Sequence, residues 1–400
     1  MSQTEHAFSF SQYSLVWTQA EMKSEDTLTI APSPIRFCNF WKENRWKGVV
    51  NIKNRRAYLL IFGCTGLLMF AYFALYSNAN HLTSWSPSFF FGITNDSFTD
   101  DSLANSLADL RGETISDFLY DEEKAFFLET GGNETLNIRQ ACAVESLALH
   151  NPSVTAYVLF GQERVNSNSI TLRTLTANYK NIQVIGLNMD NYLAGSPLEH
   201  WYKFTDWRNG PYHVAHFSDG LRLLTLSRYG GYYFDLDIIH VRPVTYYRNF
   251  IGTEDGGTAS NSVIHSDYGY PVMQMAINDF PANYRADAWT HNGPDLLGRV
   301  LTKWCGVDRL QETNYLKCSG FSVLPRISFY PVHYSNLGEF FKQRETNDTM
   351  TPDWLTAEVI GVHIWNKLSY GEPVFRNSTQ YYTQLARIHC PATFSIAPDV

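Results

Sequence analysis

Residues 218–243 read SDGLRLLTLSRYGGYYFDLDIIHVRP, and this stretch sets the fold class. Ser218 is a good helix N-cap and Asp219 suits the positive end of a helix dipole, so a helix is predicted to begin here. Gly230 can take the left-handed conformation that ends a helix. Three leucines supply much of a buried stripe: Leu221, Leu224 and Leu226. The stretch therefore predicts an amphipathic helix followed by a glycine break.

A short aromatic strand follows the break and ends in two carboxylates. Tyr232 and Phe234 favour extended structure. Asp235 and Asp237 stand one residue apart where the strand runs out. Such a pair of hard oxygen ligands suits a divalent cation that carries a diphosphate.

An acid and an arginine accompany this carboxylate pair. Asp219 and Arg222 lie three residues apart, so both side chains project from one face of the predicted helix. Together with Asp235 and Asp237 they form the candidate catalytic set. The alternative interpretation is a surface ion pair beside a polar turn.

The chain before and after this stretch alternates between strands and helices. Apolar strands are predicted near 124–130, 154–160 and 182–187, and an amphipathic helix over 139–150. This alternation predicts an α/β domain with a Rossmann-like, mostly parallel central sheet. Residues 218–243 would end its first half, where open α/β sheets bind their ligands.

One segment is predicted to cross a membrane. Residues 57–76 read AYLLIFGCTGLLMFAYFALY, 20 residues without a charge, which matches a bilayer core of about 30 Å. Basic residues precede the segment, so the positive-inside rule places 1–56 in the cytosol. We expect a type II signal anchor, a polar stem over 77–120 and a lumenal domain over 121–400.

Sequons and cysteines agree with that topology. All four Asn-x-Ser/Thr sequons follow the anchor: Asn95, Asn133, Asn347 and Asn377. Four of the six cysteines fall in the proposed lumen, where they could form two disulfides. Three connectivities exist. The short intervening loop favours Cys305 with Cys318, which leaves Cys142 with Cys390.

Composition narrows the class of partner. A net charge of −8 with no basic run outside the flank of the anchor argues against nucleic acid. Aromatic residues make up 15% of the chain, and such rings stack on sugar faces as well as packing cores. The oligomeric state is not indicated by the sequence.

Several segments between residues 124 and 395 carry a family resemblance. Beyond residues 218–243 they are Phe127-Leu-Glu-Thr, Arg139-Gln-x-Cys-x-x-Glu-Ser, Thr290-His-Asn-Gly-Pro, Phe329-Tyr-Pro-Val and Val362-His-Ile-Trp-Asn-Lys. In these the chain resembles the DXD-containing α-1,4-glycosyltransferases, the family of lactosylceramide 4-α-galactosyltransferase and α-1,4-N-acetylglucosaminyltransferase. The resemblance implies a Golgi type II membrane enzyme with a GT-A fold. It also implies a UDP-sugar donor, Mn²⁺ dependence with Mg²⁺ as a substitute, and retention of configuration.

The resemblance also implies roles for the candidate catalytic set. Asp235 would face the ribose and the donor sugar, and Asp237 would ligate the Mn²⁺ that bridges the diphosphate. Asp219 and Arg222 are similar in placement to residues that hold the donor sugar's hydroxyls in bacterial glucosylating toxins.

Two further segments have less certain roles. The resemblance implies that His363 and Trp365 complete the metal and leaving-group site, although His363 could instead be a core histidine on a strand. His291, Asn292 and Gly293 could border the acceptor, or could form a polar turn ahead of a helix.

The expected reaction is retaining α-1,4 transfer of galactose or N-acetylgalactosamine to a terminal sugar of a glycosphingolipid. We expect front-face attack, with double displacement through Asp219 or Glu254 as the less favoured route. Three alternatives remain: an α-1,4-N-acetylglucosaminyltransferase acting on glycoprotein O-glycans, a non-catalytic lumenal protein of transferase fold, and a calcium-binding domain. The last lacks the ligand spacing of an EF-hand loop.

Overall fold

The computed structural model describes residues 123–345 and 351–398. The predicted cytosolic tail (1–56), membrane span (57–76) and stem (77–120) lie outside these residues. Within the described ranges no helix is both long and apolar enough to cross a bilayer.

Nine strands occur in the described part of the chain. They are β1 (Lys124–Glu129), β2 (Thr155–Phe160), β3 (Ile182–Gly186), β4 (Gly231–Phe234), β5 (Ile238–His240), β6 (Phe250–Thr253), β7 (Ala259–Ser266), β8 (Ser322–Val323) and β9 (Gly361–His363).

Helices alternate with these strands. They are α1 (Ile138–His150), α2 (Ile170–Asn178), α3 (Met189–Leu193), α4 (Leu198–Phe204), α5 (His213–Tyr229), α6 (Pro271–Ala282), α7 (Pro294–Cys305), α8 (Gly338–Phe341), α9 (Asn366–Ser369), α10 (Tyr381–His389) and α11 (Pro391–Ser395). Short 3₁₀ turns occupy Trp207–Asn209, Leu310–Glu312, Arg326–Ser328 and Tyr334–Asn336.

Seven strands form one sheet in the order β3-β2-β1-β4-β7-β6-β8. The pairs β1–β2, β2–β3, β1–β4 and β6–β8 are parallel, and β7 pairs antiparallel with β4 and β6. The predicted α/β class and mostly parallel sheet are therefore confirmed.

The two faces of the sheet bury alternate residues of β1. Phe126 and Leu128 belong to a core cluster that includes α5, α6 and α7, whereas Ala125 and Phe127 belong to a cluster with α1 and α2. All six residues of β1 are buried. Burial on both faces explains why this strand reads as an apolar run rather than an alternating pattern.

The strand order creates a crevice at the centre of the sheet. β2 lies on one side of β1 and β4 lies on the other. The connection from β1 to β2 and the later crossover from β3 to β4 therefore run in opposite directions along the sheet. Open α/β sheets bind ligands beyond the carboxyl ends of such strands. β4 ends at Phe234, which places Asp235 and Asp237 at this edge.

A second, two-stranded sheet brings a distant segment to the same edge. β5 pairs antiparallel with β9, and Ile238 lies opposite His363. The residue after Asp237 is thereby paired with a residue more than a hundred positions later in the chain.

The start of α5 differs from the prediction. The helix begins at His213, so Ser218 lies inside it and is not an N-cap. Residues 213–217 contain neither glycine nor proline, and the helix extends back through them to Tyr212. The end of the helix agrees with the prediction, because Gly230 has a φ of 63°.

The structure contains both expected disulfides. Cys305 pairs with Cys318 over 13 residues, and Cys142 pairs with Cys390 over 248. The first ties the end of α7 to the chain before β8, and the second ties α1 to the residue that precedes α11.

Two of the four sequons lie in the described residues. Asn133 and Asn377 are both exposed and outside helices and strands. Asn95 and Asn347 lie outside the described residues.

Candidate active site

Arg222 is the centre of a buried polar network on α5. Its guanidinium donates to Asp235 Oδ1 at 2.9 Å and to the carbonyl of Asn261 at 2.7 Å. It also donates to the backbone carbonyl and the hydroxyl of Ser218, one turn earlier in the helix. Tyr233 stacks under the guanidinium at 4.5 Å and donates its hydroxyl to the same Asp235 oxygen at 2.7 Å. Asp235 is thus held in one orientation.

Asp219 is the second buried acid of this network. It lies 3.6 Å from the guanidinium of Arg222 and accepts a hydrogen bond from Asn261 Nδ2 at 2.7 Å. Burial raises the pKa of Asp219 to about 6, even though Arg222 and Asn261 both act to lower it. A carboxyl with such a pKa changes charge near neutral pH and is suited to contact a polar ligand.

Three side chains converge at the end of β4 and at β9. Ligand atoms of Asp235, Asp237 and His363 all lie within 4.8 Å of one another. Asp237 Oδ2 accepts from the backbone amide of Asn366 at 2.9 Å. Asp237 Oδ1 is buried and has no hydrogen-bond donor among the described residues; His363 Nε2 lies 3.3 Å away, within ion-pair distance but without hydrogen-bond geometry.

This donor set fits a divalent cation. Carboxylate oxygens are ligands of the harder divalent ions and an imidazole nitrogen is a ligand of first-row transition ions. The orphaned Oδ1 of Asp237 is a buried oxygen that an ion would satisfy. Burial raises the pKa of Asp237, and the neighbouring His363 opposes that rise. A bound cation would offset the repulsion between the carboxylates of Asp235 and Asp237.

His363 lies on β9 beside Asp237. Its Nδ1 accepts from the backbone amide of Trp365 at 3.2 Å, which turns Nε2 toward Asp237. Trp365 holds a left-handed backbone at φ 57°, and its ring lies 4.3 Å from that of His363. Left-handed backbone in a bulky residue is costly and is typical of functional sites.

The segment 291–293 forms the polar turn ahead of α7. Asn292 is buried and bonds both backbone groups of Arg285, and His291 lies at hydrogen-bond distance from the carbonyl of Asn283. Gly293 caps α7, and a Cβ built there would lie 2.9 Å from Asp219 Oδ2 and 2.3 Å from Asn261 Nδ2. The turn thus abuts the Asp219 end of the network.

The sequence pattern did not indicate Asn261 or Tyr233, and it offered Glu254 only as a nucleophile of the less favoured double-displacement route. Burial raises the pKa of Glu254; the nearby charge of Asp235 adds to this rise and His363 opposes it. Asn261 lies on β7 and reaches the site because β7 pairs with β4. Only the position of Tyr233, two residues before Asp235, gave a local signal that could have identified it.

Two family models match this chain, and several named proteins are similar to it. A family described as "Alpha 1,4-glycosyltransferase conserved region" matches residues 265–397, and one described as "Glycosyltransferase sugar-binding region containing DXD motif" matches 138–257. The chain is 30% identical over 271 residues to the lactosylceramide 4-alpha-galactosyltransferase of Homo sapiens, covering 67% of this chain and 75% of that protein. It is 27% identical to the alpha-1,4-N-acetylglucosaminyltransferase of Homo sapiens, covering 67% and 78%.

A solved structure of a galactosyltransferase, LgtC, in complex with donor and acceptor sugar analogs is also similar. It is 15% identical and covers 69% of this chain and 96% of that one, with a TM-score of 0.38.

Proposed function

This chain belongs to the α-1,4-glycosyltransferase family that includes lactosylceramide 4-alpha-galactosyltransferase, and we propose that it moves a hexose from a UDP-sugar to a glycolipid. The donor sugar is galactose or N-acetylgalactosamine, and the acceptor is the terminal sugar of a glycosphingolipid. Configuration at the transferred carbon is retained.

One observation carries the proposal: Asp235, Asp237 and His363 converge beside the buried Asp219–Arg222 pair. A lectin or structural domain would have no need for an orphaned buried carboxylate oxygen next to a desolvated Asp–Arg pair, because each costs folding free energy. A metal-binding crevice at the switch point of the sheet is the place where a nucleotide-sugar would bind.

Asp235, Asp237 and His363 would hold the cation, and we propose Mn²⁺. When bound, it supplies a Lewis acid that neutralises the charge developing on the UDP leaving group. Arg222 and Tyr233 hold Asp235 in one orientation. Asp219, fixed by Asn261, is available to a hydroxyl of the donor sugar.

The chain's residues favour front-face attack in this proposal. Carboxylates committed to a cation are poor general bases, so Asp235 and Asp237 do not act as a glycosidase pair. The acceptor hydroxyl attacks the face from which UDP departs, and its proton passes to the departing phosphate oxygen. Asp219 Oδ1 is already engaged by Asn261 and Arg222, and this engagement makes the carboxylate a weaker nucleophile.

The test is UDP release by the full-length chain in detergent, with Mn²⁺, a panel of UDP-sugars and neutral glycolipids. Asp237→Asn should lower turnover at least about a hundredfold, because it removes one charged ligand and alters the donor set. Asp190→Asn, an exposed acid on α3, is the matched control and should leave turnover unchanged.

Acceptor-dependent release with one donor would identify both substrates. Turnover with an N-acetylglucosamine donor alone would replace the proposed donor with the sugar in the name of the second relative. Absence of metal-dependent UDP binding would contradict the enzyme assignment altogether.

We also propose that residues 57–76 anchor the chain in the Golgi membrane with 121–400 in the lumen. The uncharged 20-residue segment and its basic flank support this placement. Glycosidase-sensitive glycans on Asn133 and Asn377 would agree with a lumenal domain. Labelling of residues after 121 by a cytosolic probe in intact cells would contradict it.

A further inference from the structure

The segment Arg139-Gln-x-Cys-x-x-Glu-Ser lies on α1 and contains none of the candidate catalytic residues. Its functional side chains recur every three or four positions and therefore share one side of the helix. Each of them contacts a part of the chain that follows Asp237: Arg139 bonds Ser369, Cys142 pairs with Cys390, Glu145 accepts the amides of Ala392 and Thr393, and Ser146 accepts the amide of His240. The helix α1 thus holds the C-terminal part of the domain.

The guanidinium of Arg139 is bound to the end of α9. One terminal nitrogen donates to the carbonyl of Ser369 at 2.8 Å and to its hydroxyl at 3.1 Å. The other terminal nitrogen donates to the carbonyl of Glu372 at 2.7 Å. The guanidinium also lies over the rings of Phe341 and Tyr382, 4.8 and 5.2 Å from their centroids. Three hydrogen bonds and two rings therefore fix its position relative to α9.

Ser369 connects Arg139 with the backbone that holds Asp237. The buried hydroxyl of Ser369 donates to the carbonyl of Ile364 at 3.0 Å. The amide of Ile364 donates in turn to the carbonyl of Asp237 at 2.9 Å. At the start of α9, the amide of Asn366 donates to Asp237 Oδ2, also at 2.9 Å. Both the backbone and the carboxylate of Asp237 are thus bonded to the segment that Arg139 holds.

This segment also contains a strained residue. Trp365 has a φ of 57°, and such a backbone persists in a bulky residue only where the surrounding contacts enforce it. The carbonyl of Trp365 accepts the amide of Ser369 at 2.9 Å. Because Arg139 binds the carbonyl and the hydroxyl of Ser369, it stabilises this turn. The turn lets the chain before and after Trp365 reach the two oxygens of Asp237.

We propose that Arg139 is a positioning residue for the divalent cation of the active site. It fixes α9 and the turn before it, and these orient Asp237 and His363 as ligands. The inference rests on the proposed function, which supplies the cation, and it adds a residue that touches neither the cation nor a substrate. Hydrogen bonds that orient metal ligands change metal affinity by about 10–100-fold. Loss of Arg139 should therefore weaken cation binding.

The test is a titration of the full-length chain in detergent with Mn²⁺ alone, followed by the EPR signal of free Mn²⁺. Arg139→Met keeps an unbranched apolar stem and removes every donor, and it should raise the Kd for Mn²⁺ about tenfold. Arg139→Lys keeps the charge and one donor group, and it should raise the Kd only about threefold. In UDP release, Arg139→Met should raise the KM for Mn²⁺ about tenfold and leave kcat at saturating Mn²⁺ within about twofold. A loss of folded protein would lower kcat instead.

A second variant tests the connection through Ser369. Ser369→Ala removes the hydroxyl that links Arg139 to Ile364, and it should raise the Kd for Mn²⁺ by about three- to tenfold. Adding Ser369→Ala to Arg139→Met should raise the Kd by less than about twofold more, because both changes break the same connection. Effects that multiply in the double variant would show that Arg139 does not act through Ser369.

Arg228 provides the matched control. It donates to the backbone carbonyls of Tyr192 and Ala194 and lies over the ring of Tyr192, so it makes the same kinds of contact as Arg139. Arg228→Met should leave the Kd for Mn²⁺ unchanged. Urea unfolding of every variant shows whether the folded state is retained, and the two milder variants, Arg139→Lys and Ser369→Ala, carry the test if Arg139→Met does not fold.

Asp237→Asn identifies the Mn²⁺ that binds at this site, and comparison with it separates the possible outcomes. If Mn²⁺ binding depends on Asp237 but Arg139→Met and Ser369→Ala keep the wild-type Kd, the positioning role is wrong, and acceptor-dependent UDP release would still establish the transferase. If these variants weaken Asp237-dependent binding yet no donor turns over, the positioning role stands and the proposed function does not. Absence of Asp237-dependent Mn²⁺ binding would overturn the inference.

Discussion

At the scale of single residues, Arg222 links two acids that would otherwise be isolated. Asp219 and Asp235 come from different elements, α5 and the end of β4, and the one guanidinium lies between them. The side chain of Arg222 is 6% exposed, so its charge must be balanced by these carboxylates. Planar, multidirectional donors let Arg222 reach four acceptor atoms at once, which an ammonium group could not do.

Arg222→Lys is therefore expected to be far from conservative. A lysine could keep the charge but would lose most of the bonds to Asp235, Asn261 and Ser218. Losing charged hydrogen bonds of about 2–3 kcal/mol in the network corresponds to a drop of about a hundredfold in kcat/KM. Steady-state UDP release measures this drop in kcat/KM. Arg228→Lys, near the end of the same helix, is the control and should stay within about threefold of wild type.

Within the site, residues close in sequence were the predictable part. Asp219 with Arg222, and Asp235 with Asp237, carry their spacing in the chain, and the structure brings all four together. Asn261 could not be found this way. It reaches Asp219 because β7 pairs with β4, and pairing between distant strands leaves no local pattern. The placement of His363 came from the family resemblance, since its register with Ile238 is equally non-local.

At the scale of elements, the junction of α5 and β4 depends on two successive glycines. Gly230 and Gly231 have φ values of 63° and 93°. A Cβ at Gly230 would lie 2.5 Å from the amide of Tyr268, and one at Gly231 would lie 2.6 Å from the carbonyl of Lys124. These glycines let the helix stop and the strand enter the sheet directly beside β1, which sets the position of Asp235.

Gly230→Ala should destabilise the protein by at least about 2 kcal/mol, since it adds both left-handed strain and a contact with backbone. Chemical denaturation of the full-length chain measures the change. Gly298→Ala is the control: Gly298 lies inside α7 with no atom near a built Cβ, and alanine there should stabilise by about 0.5–1 kcal/mol. Equal effects at the two positions would show that the junction is not constrained as described.

Element types were more predictable than element boundaries. The apolar runs of β1, β2 and β3 read directly from the sequence, although only β1 is buried along its whole length and the edge strand β3 buries only Ile182 and Ile185. The start of α5 was mispredicted because the Ser-Asp pair at residues 218–219 resembles a cap, whereas in the structure Ser218 serves Arg222 instead. The pairing of β5 with β9 had no signal, because three-residue strands are too short to show a pattern.

At the scale of the whole molecule, the two disulfides restrain loops of very different length. Cys142–Cys390 closes 248 residues and Cys305–Cys318 closes 13. In the loop-entropy treatment these stabilise by about 5–6 and about 3 kcal/mol respectively. Replacing both Cys142 and Cys390 by alanine should therefore lower the free energy of unfolding by about 2–3 kcal/mol more than replacing both Cys305 and Cys318. Denaturant midpoints of the two double variants measure the difference, and an equal loss would contradict the entropic account.

Two buried histidines make the folding stability of the protein decrease at low pH. Burial lowers the pKa of both His240 and His265 to about 3. His265 accepts from the amide of Asn249, and His240 is fully buried with no hydrogen-bond partner among the described residues. Because the folded pKa lies below the unfolded value of about 6.5, the stabilisation is complete above pH 6.5 and is lost as the pH falls toward 3.

At pH 5 each of these histidines should lower the free energy of unfolding by about 2 kcal/mol relative to pH 7.5. Asp219 has the opposite effect on stability. Its pKa is raised to about 6, so its protonation between pH 7.5 and pH 5 adds about 1 kcal/mol to the free energy of unfolding. The effect of the two histidines together is larger than that of Asp219, so we expect lower stability at pH 5.

His240→Phe fits the same aromatic site beside Phe234. It should reduce the difference in the free energy of unfolding between pH 7.5 and pH 5 by about 2 kcal/mol. His200→Gln on the exposed face of α4 is the control, and urea unfolding of the full-length chain at both pH values is the measurement. If His240→Phe shows the same loss between pH 7.5 and pH 5 as the wild type, burial of a neutral His240 is not the source of the dependence.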